Sequence, residues 1–128
     1  MTIETRVKAL KIALTAIGLM YIFGIYAMMQ LMPESWTWNP RQPEYEQMIM
    51  GIYATLGVFL LLAAQDPLSN RSLIWFTIVS NLVHGTIMVT QSILDPAELS
   101  NMWGDVPALF FIAAVLWVLV PNRSAFKN

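Results

Sequence analysis

Four stretches of the chain contain no Asp, Glu, Lys or Arg: Ile12–Pro33, Gln47–Gln65, Ser72–Leu94 and Val106–Asn122, of 22, 19, 23 and 17 residues. A helix rising 1.5 Å per residue needs roughly 20 apolar residues to cross ~30 Å of hydrocarbon. The pattern predicts an all-α protein, an integral membrane four-helix bundle in one domain, with helices over about 10–32, 43–64, 72–94 and 104–120. Local signals fit these limits. Thr5 is placed to cap a preceding helical turn, and Pro33 stops the first helix. Pro43 suits a first turn, where Glu44 and Glu46 complement the helix dipole. Asp66-Pro67 ends the second helix. Asp105 reads as the N-cap of the fourth and Pro121 as its exit.

The connections after the first and third helices are not plain linkers. Residues 33–46 alternate Pro33, Pro40 and Pro43 with Trp36, Trp38 and Tyr45. Proline stiffens the segment, and indoles and phenols favour a membrane interface. The spacing predicts a lid over the outer mouth of the bundle. Asp95-Pro96-Ala97-Glu98 resembles a capping box and predicts a short interfacial helix to about Trp103.

Composition agrees: 57% of residues are hydrophobic and 12% charged, against about 25% charged in soluble domains. Net charge is −1 without a basic tract, so nucleic acid is not an expected partner. The chain has no cysteine, which excludes disulfides, thiolate metal sites and cysteine catalysis. Basic residues divide six to one. Arg6, Lys8, Lys11, Arg71, Arg123 and Lys127 fall on the face of both termini, and Arg41 alone on the other. By the positive-inside rule both termini are expected to be cytoplasmic. Glu34, Glu44, Glu46, Asp95, Glu98 and Asp105 make the outer face acidic.

Candidate chemistry gathers on the third helix. Thr77, Asn81, His84, Met88 and Gln91 follow one another at spacings of 4, 3, 4 and 3, which puts them within roughly 80° of arc on a helix. Polar groups in a lipid span face protein or a cavity, because unpaired ones are costly in hydrocarbon. The stripe is therefore expected to point inward, towards Glu44, Glu46 and Tyr53 of the second helix and Thr15, Tyr21, Tyr26 and Gln30 of the first. Gly18, Gly24, Gly51 and Gly57 suit close helix approach. Several roles are open to His84, the single histidine: hydrogen-bonded glue between helices, a proton carrier or ligand-orienting group, or a haem or metal ligand with a methionine. Nine methionines read as apolar filler, with Cu(I) binding the alternative. Walker A, GxSxG, HExxH and GxGxxG motifs are absent. No catalytic residue or metal site is assigned, and the residues point to no particular cofactor.

The stretch QPEYEQMIMGIYATLGVFLLLAAQDPLSNRSLIWFTIVSNLVHGTIM, Gln42 to Met88, with GDVPAL from Gly104 to Leu109, resembles a family of small uncharacterised bacterial four-span membrane proteins over most of the chain. In plan that family is distantly similar to the DoxX-like group, some members of which are associated with quinone-linked sulfur oxidation or membrane redox stress. The resemblance implies a bacterial inner-membrane location and the four-helix plan. It maps no DoxX catalytic pattern here and brings no role for Glu44, Tyr45, Glu46, His84 or Asp105.

The expectation for function is a small non-catalytic membrane protein. It would bind a lipid or quinone-like molecule between its second and third helices, or serve as an accessory subunit of a larger complex or homo-oligomer. His84, Asn81, Gln91, Thr77, Met88, Glu46, Glu44 and Tyr53 would contact the ligand, and Trp36, Trp38 and Trp103 would close the outer end. The rivals are a membrane redox component with His84 as acid–base group or cofactor ligand, and a small proton-coupled transporter or channel.

Overall fold

A computed structural model describes residues 1–122; Arg123 and Lys127 of the charge tally lie outside them. Helix α1 runs Ile3–Leu31, with a π-helical segment at Met20–Gly24. A short α2 (Pro33–Trp36) follows, then α3 (Pro43–Ala63) and α4 (Arg71–Leu94). A 3₁₀ helix (Pro96–Trp103) leads into α5 (Asp105–Leu119). No strand occurs among the described residues. Helices α1, α3 and α4 are long and apolar enough to cross a membrane. The 3₁₀ helix and α5 reach the same length and apolarity only when taken together across a 43° bend.

The expected helices are present, with two shifts at their ends. The first begins about two turns early, at Ile3, and its cap is Thr2, whose hydroxyl accepts the Thr5 N–H. Thr5 lies inside the helix instead. The last begins at Asp105, with Gly104 in the cap position and no side-chain cap. Pro107 then stands in the first turn, where a missing N–H has no helical partner to lose.

Helix α1 packs against α3 and α5, and α4 packs against α5; α3 and α4, although consecutive, touch little. The core joins Leu10, Leu14, Ile17 and Tyr21 of α1 to Leu60, Ile74, Ile78, Ile112 and Leu116. Phe23, Ile52, Phe59, Phe76, Ile87 and Phe111 face outward. A belt of large apolar side chains suits acyl chains and not water.

The bundle ends differ. At the terminal end, Arg6 donates through Nε and Nη2 to the Val118 carbonyl at 3.1 and 2.7 Å, and Arg71 donates to the Pro121 carbonyl. Arg6 thus satisfies a carbonyl that α5 leaves without a helical partner, and Arg71 one just beyond the helix end. In the turn between α3 and α4, the Ser69 hydroxyl donates to Asp66 at 2.6 Å and holds that carboxyl below its ordinary pKa. The opposite, tryptophan end carries the connections 32–42 and 95–104. Its side chains separate the helices around a cavity.

Candidate functional site

The cavity lies among α1, α3, α4 and α5 beneath the 33–42 connection. Its empty volume is about 690 Å³ with its mouth included, of which about 90 Å³ admits the centre of a water-sized sphere. That is room for several small groups, since one water needs ≳10–15 Å³ by the same measure.

Each wall follows from local structure. The π-helical segment adds a residue to one turn of α1, so Met20, Tyr21, Ile25 and Met29 all reach the cavity. Such segments often occur at functional sites. Helix α3 contributes Glu46, Ile49, Met50 and Tyr53 at helical spacing. Helix α4 contributes His84 and Met88, and α5 contributes Asp105, Ala108, Leu109 and Ile112. Trp36, Thr37 and Trp38 close the end.

Two hydrogen-bonded pairs, joined by a ring contact, run from the floor to the wall. The Tyr21 hydroxyl donates to Asn81 Oδ1 at 3.0 Å, and Asn81 Nδ2 donates to the Thr77 carbonyl at 2.8 Å. The Tyr21 and Tyr53 rings meet edge to face, 4.9 Å between centroids. The Tyr53 hydroxyl lies 2.5 Å from His84 Nδ1. His84 Nε2 has no hydrogen-bond partner among the described residues.

The lid is pinned from two sides. Arg41 grips the buried Glu46 carboxylate through Nε at 3.1 Å and Nη2 at 2.8 Å. This hydrogen-bonded pairing raises the guanidinium pKa above its ordinary value. Glu46 also accepts the Trp38 and Gln42 N–H groups, each at 3.4 Å. From the other side, Glu98 Oε1 accepts the Asn39 N–H at 2.9 Å, and the Ser100 hydroxyl donates to the Glu34 carbonyl. Glu98 thus clamps the neighbouring connection instead of closing a capping box. Asp95 does cap its helix, accepting the Ala97 N–H at 3.0 Å.

Two polar atoms on the cavity-lining side chains are buried without a partner: Trp36 Nε1, a donor, and Asp105 Oδ1, an acceptor. Most buried polar atoms are hydrogen-bonded, so such exceptions mark positions of interest.

Of the sequence-predicted residues, Glu46, Tyr53, His84, Met88, Trp36 and Trp38 meet at the cavity. Asn81 lies buried beneath it and acts through Tyr21. Thr77 is deeper still, its hydroxyl turned to the Leu73 carbonyl. Several placements differ from expectation. Glu44 points outward on the exposed side of α3. Gln91 is exposed because the buried face of α4 is rotated by roughly 50° from the polar stripe. Trp103 is 83% exposed and takes no part in the lid. Glu46 turns inward but meets Arg41, not Gln91 or Asn81. The cavity is enclosed by all four long elements, not by the second and third helices alone. Of the α1 polar residues, Tyr21 faces in while Thr15, Tyr26 and Gln30 face out. Asp105, read from the sequence only as the cap of the fourth helix, stands instead in that helix's first turn and lines the cavity.

Among the described residues no group of three or more His, Asp or Glu is placed to hold a metal ion. The model of a family of unknown function, DUF6632, matches residues 4–127, and the chain belongs to that family. None of the curated proteins and none of the solved structures matches it.

Proposed function

We propose that this DUF6632 chain is a non-catalytic membrane protein that holds a hydrophobic, lipid-like or quinone-sized molecule in the cavity at its tryptophan end. The observation that carries the reading is the cavity itself: an apolar and aromatic chamber with few polar atoms, of which Trp36 Nε1 and Asp105 Oδ1 are buried and unpartnered. Ligand sites have this composition, an apolar wall giving affinity and sparse polar groups giving orientation. The bilayer supplies such ligands at high local concentration.

Orientation belongs to the same proposal. The six-to-one division of basic residues supports cytoplasmic termini in a bacterial inner membrane, with the tryptophan end outside. The cavity then opens toward the outer leaflet.

The test is native mass spectrometry of the protein released from lipid nanodiscs. The expected result is one tightly retained small molecule per chain. Ala108→Phe, which fills the cavity from α5, should abolish its retention while leaving the fold intact by circular dichroism. Equal retention in Ala108→Phe contradicts the reading.

A further inference from the structure

Two carboxylates line the cavity, and the chain treats them differently. Glu46 has its counter-ion in Arg41 and accepts two backbone N–H groups. Asp105 has no such counter-ion: its Oδ1 is buried and partnerless, and no described lysine or arginine lines the cavity. Arg41 is committed to Glu46. The only other titratable cation former there, His84, has its Nδ1 engaged by the Tyr53 hydroxyl. Buried charges are normally paired. A buried carboxylate without a cation from its own chain is either protonated or complemented by a cation that a ligand brings.

The surroundings fit that charge. Tyr21, Trp36, Trp38 and Tyr53 give the cavity four aromatic rings, whose faces attract organic cations in a desolvated setting. Met20, Met29, Met50 and Met88 supply flexible, polarizable wall that adapts to an alkyl body. Glu34, Glu44, Asp95 and Glu98 add negative charge at the same end of the bundle, where Arg41 is the lone basic residue among those described. An acidic mouth raises the local concentration of cations. Trp36 Nε1 asks for an acceptor on the same molecule.

We infer that the cavity selects an amphipathic amine, protonated at neutral pH, whose N–H donates to Asp105 while a hydroxyl, ether or carbonyl oxygen accepts from Trp36. This rests on the binding function proposed above and narrows its ligand class. A fully oxidised quinone presents only acceptors and leaves Asp105 unpaired.

The test uses two matched probes, N-dodecylethanolamine and its neutral ether counterpart dodecyloxyethanol. Each is added to the full chain in zwitterionic nanodiscs at equal mole fraction in the bilayer, and occupancy is read by native mass spectrometry. The amine should bind roughly tenfold or more tightly than the ether, as expected for a desolvated charge pair. Asp105→Asn should lower amine affinity to that of the ether and leave the ether unchanged, which also shows that the variant is folded. Equal binding of the two probes, or an amine preference that survives in Asp105→Asn, overturns the amine assignment and leaves the hydrophobic pocket standing. Failure of both probes to bind the native chain, with no retained molecule from the membrane, overturns the pocket and the assignment together.

Discussion

Gly57 is the position where one added methyl group should do most damage. A Cβ built there would lie 2.6 Å from the Gly18 carbonyl oxygen, 2.9 Å from Ile22 Cγ1 and 3.1 Å from Tyr21 Cβ. The first is backbone, so it cannot swing aside. Relief requires α1 and α3 to separate by roughly 0.8 Å to reach ordinary van der Waals contact. In a lipid-embedded bundle that contact is most of what holds helices together. Overpacking of this kind costs about 1–3 kcal/mol. The control lies on the same helix: a Cβ at Gly51 meets nothing within 4 Å. Both substitutions gain similar helix propensity, up to about 1 kcal/mol, so their difference isolates the clash. Gly57→Ala should therefore be less stable than Gly51→Ala by about 1–3 kcal/mol, measured by reversible unfolding in mixed micelles followed by circular dichroism. Equal stability of the two variants would refute the close crossing at Gly18 and Gly57.

Three further outcomes are expected. Tyr21→Phe removes the donor to Asn81 Oδ1 and should cost about 1–2 kcal/mol in the same assay, near the upper end for hydrogen bonds inside membranes; no loss would show that Asn81 is satisfied elsewhere. Glu46→Gln weakens the grip on Arg41 and on the Trp38 and Gln42 amides. Because Arg41 is half exposed, we expect only local loosening, read as roughly tenfold faster hydrogen exchange at those two amides; unchanged exchange would remove Glu46 as the lid anchor. Trp103→Ala should leave stability within about 0.5 kcal/mol and ligand retention untouched, whereas Trp36→Ala should lower retention; the reverse ranking would place the lid on the other connection.

Much of the architecture was readable because it depends on composition over long windows. The charge-free runs marked the long helices, and Pro43, Asp95 and Pro96 marked two of their starts or connections. The polar seam of α4 was legible as far as its phase: Asn81, His84 and Met88 face in, while Gln91, at the seam's edge, falls outside the buried face. That rotation is set by where α5 and the 3₁₀ helix press on α4, which the periodicity of one helix does not encode. The site was harder to read. Trp36, Trp38 and Trp103 carry the same interfacial preference, and only the folding of their connections separates the two that turn in from the one that turns out. Asp105 obeys a capping rule in sequence. The close approach of Gly104 to the Ser35 backbone, which leaves no room for a Cβ, gives glycine the cap position and sends Asp105 into the cavity. The π-helical segment that carries Tyr21 to the cavity has no proline to announce it. It is visible only once the helices are packed.

The central claim is that His84, on the seam of α4, faces a chamber inside the bundle. A chain with one histidine allows a direct test. With ¹⁵N-labelled histidine in nanodiscs, the imidazole resonances report on His84 alone. The inward ring predicts an Nδ1 shift that moves on Tyr53→Phe and signals that resist broadening by lipids spin-labelled along their tails. Strong broadening by those lipids, with no response to Tyr53→Phe, would put the ring among the acyl chains and contradict the account.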